Sequence, residues 1–134
     1  MAEFPDTHRD LLQTDVAILS TQGHDRYPQV TALWFYYDSD DNLLKLYLNN
    51  TRQKTKNLHA HSECTLFILD RANPLRTLEV RARAEVKADE GYAFAEKFGQ
   101  KYGADIRAMD PPGEYRVIVT LHPVKINAID LSQG

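Results

Sequence analysis

The chain has 134 residues, 43% of them apolar and 26% charged, a size and balance that suit one globular domain with one core. Its formal net charge of −3 excludes a general basic field for nucleic acid, so any anion site must be a local cluster on an acidic background. The single cysteine excludes an intrachain disulfide; the first residues lack a signal-like basic and apolar pattern and no later run reaches membrane-spanning length, so the expectation is a cytoplasmic protein without a membrane span.

Pro5-Asp6-Thr7 ahead of His8-Arg9-Asp10-Leu11-Leu12 predicts a short capped helix packed on one end of the fold. Two β-rich runs follow, 16–21 and 30–37, and Gly23 and Pro28 between them read as a hairpin connection. The second run is apolar on both faces, as expected where a barrel also meets a partner subunit. Residues 38–42 form a polar turn, and 43–48 the third strand. Thr51 is positioned to cap a helix over 52–60, in which Leu58 is the one large apolar anchor. A fourth strand covers 64–70, with Cys64 as a small buried hydrophobe, and 71–75 turn the chain.

From Leu78 to Lys87 the residues alternate, placing Leu78, Val80, Ala82, Ala84 and Val86 on one face and Glu79, Arg81, Arg83, Glu85 and Lys87 on the other. Asp89-Glu90-Gly91 opens a helix in which Tyr92, Ala95, Phe98 and Tyr102 recur at helical spacing, with Gly103 as its stop. After a loop over 104–114, two closing strands, 115–121 and 124–130, are separated by His122-Pro123, since proline donates nothing to a central ladder. The sum is a mainly β, α+β chain of six or seven antiparallel strands, with short helices set at the ends of a barrel.

Arg52, Lys54 and Lys56 behind Thr51 are the main candidates for chemistry. On a helix Arg52 and Lys56 stand at i and i+4, where like charges cost about 0.2–0.5 kcal/mol and the helix dipole opposes them further. A bound phosphate would relieve both penalties, because free N–H groups, a capping hydroxyl and cations converge there. The alternative is a solvated polar helix face. Trp34-Phe35-Tyr36-Tyr37 reads either as core and interface or as a wall for a planar ring, and Arg81 and Arg83 either as cross-strand ion pairs or as ligand contacts. His59 and His61 are two apart and diverge on a helix, so they do not form a metal pair. No nucleophile elbow, Walker loop or Gly-Xaa-Gly-Xaa-Xaa-Gly pattern occurs.

Three runs in fixed order, Tyr27-Pro28-Gln29-Val30-Thr31-Ala32-Leu33-Trp34-Phe35, Thr51-Arg52-Gln53-Lys54-Thr55-Lys56-Asn57-Leu58 and Asn73 through Ala84, resemble the pyridoxamine 5′-phosphate oxidase-like split β-barrel superfamily. Within it they are most similar to the actinobacterial deazaflavin (coenzyme F420)-dependent reductases. The resemblance implies an FMN-binding-type split barrel over residues 1–134 and a homodimer with two cofactor sites at the shared interface. It implies that Arg52, Lys54, Thr55, Lys56 and Asn57 surround the cofactor phosphate, in the segment that also holds Thr51. The backbone around Pro28, Gln29 and Val30, with Asn49 and Asn50, would border the ring system, and Trp34 and Tyr36 line the site or the subunit contact. The implied reaction is hydride transfer from reduced F420 to an electron-poor double bond of a small conjugated or lipophilic substrate. The alternatives are an FMN-dependent oxidoreductase or a flavin-binding protein on the same fold, and a non-enzymatic carrier, against whose haem-binding form the absence of an axial histidine on a strand weighs. Ala82 stands where many relatives have glycine, which leaves the strand reading intact.

Overall fold

In the computed structural model, which describes residues 2–133, seven antiparallel strands form one sheet in the order β2-β1-β5-β6-β7-β4-β3. They are β1 (Ala17–Gln22), β2 (Pro28–Leu33), β3 (Tyr36–Asp38), β4 (Leu43–Asn49), β5 (Glu63–Asp70), β6 (Asn73–Ala88) and β7 (Arg116–Asp130). Helix α1 (Gln53–Ala60) links β4 to β5, and α2 (Ala93–Tyr102) follows β6. None of the described helices is long and apolar enough to cross a membrane.

β2 and β3 lie at opposite ends of this order, yet only Trp34 and Phe35 separate them in the chain. Two residues span too little to cross a flat sheet, so the sheet must curl until its two edges meet. This is the half-barrel of the split-barrel fold. The expected single strand over 30–37 is therefore two strands with a corner between them. Phe35 is fully buried at that corner, among Leu44, Leu46, Leu66, Ile68, Leu78 and Val119 of the central core.

The corner leaves Phe35 without ladder partners, and α2 supplies them. The Tyr102 hydroxyl accepts from the Phe35 amide (2.9 Å) and lies 2.7 Å from the Phe35 carbonyl, to which Lys101 Nζ also donates at 2.7 Å. Asp89 holds the other end of α2. Its carboxylate accepts from the amides of Phe94 (3.0 Å) and Ala95 (3.1 Å) and from the Tyr47 hydroxyl (2.6 Å). The helical spacing expected for this segment is present, with Ala95 and Phe98 buried; the helix itself begins at Ala93, after a reversal with positive φ at Gly91 and Tyr92.

β6 follows its alternation, with Leu78, Val80 and Ala82 buried and Arg81 and Arg83 exposed. It starts at Asn73, because Asp70 already pairs with Asn73 and the turn shrinks to Arg71-Ala72. β7 is one strand where two were expected. β4 leaves it at Leu121, so the second edge of β7 needs no donor at Pro123, and the register against β6 steps from Lys125 to Pro123, leaving Val124 as a bulge. The first helix is a 3₁₀ turn, Asp6–Gln13, without a side-chain cap; His8, Leu11 and Leu12 bury it, and His8 Nε2 lies 3.1 Å from the Ile129 carbonyl.

Burial pulls the Lys101 ammonium down to about 8 from an ordinary 10.5. The folded chain therefore loses this proton near pH 8 while the unfolded chain keeps it to about pH 10.5. Below that window the burial penalty is fully present; through it, stability rises with pH. Urea unfolding of the wild type and Lys101→Met at pH 7 and pH 9.5 should show the wild type gaining on the variant at the higher pH, and equal gains would refute the buried ammonium.

Candidate functional site

The segment after β4 is organised by buried polar groups. Asn49 Oδ1 accepts from the Thr51 amide at 2.9 Å, and the Thr51 hydroxyl lies between Asn49 Oδ1 (2.7 Å) and the Glu114 carboxylate (2.8 Å). With that hydroxyl engaged, Thr51 does not cap α1. Arg52 is the N-cap residue, in extended conformation, and no side chain caps the helix. Thr55, fully buried, donates to the Asn49 carbonyl at 2.7 Å. Buried Asn57 donates to Thr21 Oγ1 and Gln29 Oε1, each at 3.1 Å, and accepts from Gln53 Nε2 at 2.8 Å. Asn50 pairs with Tyr115, its amide donating to the Tyr115 carbonyl at 2.9 Å.

This bracing turns two cations into one cleft. Arg52 and Lys54 line a hollow of about 250 Å³ with Trp34, Phe98, Met109 and Arg116. Arg52 is the N-cap, and its carbonyl accepts from the Lys56 amide at 3.2 Å, the expected i, i+4 spacing of the backbone. Its partner in space is Lys54, while Lys56 is exposed and outside the cleft. Burial, then the charges of Arg52 and Arg116, disfavour the protonated form of Lys54. Among the described residues neither Arg52 nor Lys54 has a carboxylate within ion-pair distance. Arg116 is offset: its Nε lies 2.9 Å from Asp110, which also accepts from Asn49 Nδ2 at 3.1 Å.

Arg116 escapes a reading of the sequence because nothing local marks it. The cross-strand register that pairs Asn49 with Arg116 brings it to the cleft. Cys64 is buried among apolar neighbours, and desolvation raises its thiol to about 12, far from a reactive thiolate.

The other expected residues gather elsewhere. Pro28, Gln29 and Val30 line a second hollow of about 360 Å³ with Gln53 and Asn57, so α1 contributes to both. A third, of about 490 Å³, lies across β1, β5 and β6 beside the turn between β1 and β2, with Arg26, Tyr27, Arg81, Arg83 and Val124 in its wall. No residue of β2 is buried; Val30 is 63% exposed, beside Tyr27 at 76%.

The sequence pattern of the pyridoxamine 5′-phosphate oxidase family matches residues 4–130, and the chain belongs to that family. Among solved structures it is similar to an F420 reductase at 30% identity, covering 92% of this chain and 98% of the other with a TM-score of 0.78. A conserved hypothetical protein of Mycobacterium tuberculosis shares the fold at 19% identity, with 95% and 85% covered and a TM-score of 0.76. General stress protein 26 of Bacillus anthracis shares it at 19% identity, with 90% and 89% covered and a TM-score of 0.69. A search of curated proteins returned no match.

The disfavoured charge on Lys54 has a measurable consequence. Lys54→Met should leave the thermal midpoint unchanged or raise it at neutral pH and low salt, because the folded chain is relieved of a repelled cation. Calorimetry that instead shows a fall of more than about 4 °C would make Lys54 a structural residue.

Proposed function

We propose that this chain is a single split-barrel domain that works as one subunit of a homodimeric F420-dependent reductase. In this reading it transfers hydride to an electron-poor double bond of a small conjugated or lipophilic substrate. The observation that carries the proposal is the pair Arg52 and Lys54: two cations without acidic partners, converging beside an apolar wall at the start of a helix. A cluster that repels itself in the folded chain gains most from a ligand phosphate, which pairs with both side chains and with the first free amides of α1. The similarity to an F420 reductase over nearly the whole of both chains supports the choice of cofactor.

Bound there, the reduced deazaflavin would supply the hydride, and the chain would supply orientation and the exclusion of water. Arg52 and Lys54 would hold the phosphate, and Trp34 and Phe98 would form an apolar wall. Thr55 and Asn57 act from behind, through the hydrogen bonds that fix α1. Dimerisation is supported by β2, an edge strand with no buried residue and exposed apolar groups, since such an edge is ordinarily covered. FMN is the second reading, favoured by membership in the pyridoxamine 5′-phosphate oxidase family, since it too carries a phosphate-bearing chain on a tricyclic ring.

Fluorescence titration of the purified protein with F420 and with FMN separates the two. F420 should bind in the micromolar range or tighter and FMN more weakly. Tight FMN binding with no F420 binding would overturn the assignment.

A further inference from the structure

Trp34 is the one tryptophan of the chain, and it stands at the corner where the sheet turns from β2 to β3. Its indole lies on the Tyr102 ring, with centroids 4.2 Å apart and planes within 3° of parallel. Phe98, one helical turn earlier on α2, meets both rings, at 6.5 Å from Trp34 and 5.2 Å from Tyr102. One indole face is therefore taken. Trp34 as a residue remains 37% exposed and lines the cleft that Arg52 and Lys54 enter.

What sets the indole in place is not its own burial. The backbone beside it is held by α2: the Tyr102 hydroxyl accepts from the Phe35 amide and lies 2.7 Å from the carbonyls of Phe35 and Asp15, and Lys101 donates to the Phe35 carbonyl. Tyr102 thus grips the corner with its hydroxyl and supports the neighbouring side chain with its ring. A residue that does both fixes the height and tilt of the indole over the cleft. A planar conjugated group whose phosphate sits on Arg52 and Lys54 would meet a preformed aromatic surface, and preorganisation of that kind lowers the ordering cost of binding.

We propose that Tyr102 is a positioning residue for ligand binding: it holds Trp34 as the stacking surface that selects planar conjugated anions in the cleft. This deepens the proposed function and rests on its placing the cofactor in this cleft. The cations supply affinity for the anion, and the Trp34–Tyr102 stack supplies the preference for an extended π system. Tyr102→Phe keeps the ring and loses the grip on the corner; Trp34→Leu keeps the grip and loses the surface.

The experiment uses the emission of Trp34 and binding of F420 and FMN, without turnover. In the free protein, Tyr102→Phe should shift the emission to the red and increase quenching by acrylamide, while circular dichroism stays as in the wild type. Tyr102→Phe should weaken the better-bound cofactor by about two- to tenfold, and Trp34→Leu by at least as much. Inorganic phosphate, which has no ring, should protect each variant against thermal unfolding as well as it protects the wild type. If the wild type binds a cofactor and Tyr102→Phe binds it equally well, with Trp34 emission unchanged, the positioning role is refuted and the cofactor cleft stands. If the wild type binds neither cofactor, the cleft assignment falls and the inference with it.

Discussion

Asn57 is the point on which the geometry of the cleft depends. Helix α1 has eight residues, and Leu58 is its one large apolar anchor, too little buried surface to fix a short helix against a sheet. Hydrogen bonds made inside the fold do the rest. Asn57 ties the helix to β1 through Thr21 and to β2 through Gln29, and Thr55 ties its first turn to the end of β4. Such groups are costly to leave unpaired, by about 1–3 kcal/mol each, so the set holds together or fails together. Arg52 and Lys54 stand side by side because their helix cannot shift, and the repulsion between them is sustained by that bracing.

The second constraint is closure of the sheet. Joining its two edge strands through Trp34 and Phe35 forces a corner in which one aromatic residue is buried in the core and its neighbour is left beside the cleft. The backbone polar groups freed from the ladder at Phe35 need partners, and Tyr102 and Lys101 provide them. A feature of the fold thereby becomes a feature of the site: α2, distant in the chain, determines where the indole stands.

Much of this architecture is legible in the sequence. The alternation from Leu78 to Lys87 describes β6, because one face of that strand meets the core and the other does not. The helical recurrence of Ala95, Phe98 and Tyr102 describes α2 for the same reason. What is hidden is set by long-range pairing. Pro123 looks like a strand break but sits where β4 has already left β7, and Arg116 reaches the cleft only through its register with Asn49. Thr51 has the right chemistry for a cap, yet Asn49 and Glu114 engage its hydroxyl. Thr55 and Asn57 lie within the recognisable basic segment, but buried and more exposed side chains alternate along it.

A crystal structure of the protein soaked with F420 would show whether Arg52 and Lys54 hold the phosphate. The phosphate should lie within hydrogen-bonding distance of both side chains, with Thr55 and Asn57 still bonded to Asn49, Thr21 and Gln29. A phosphate lodged on the outer face beside Arg81 and Arg83, with Arg52 and Lys54 untouched, would contradict that placement.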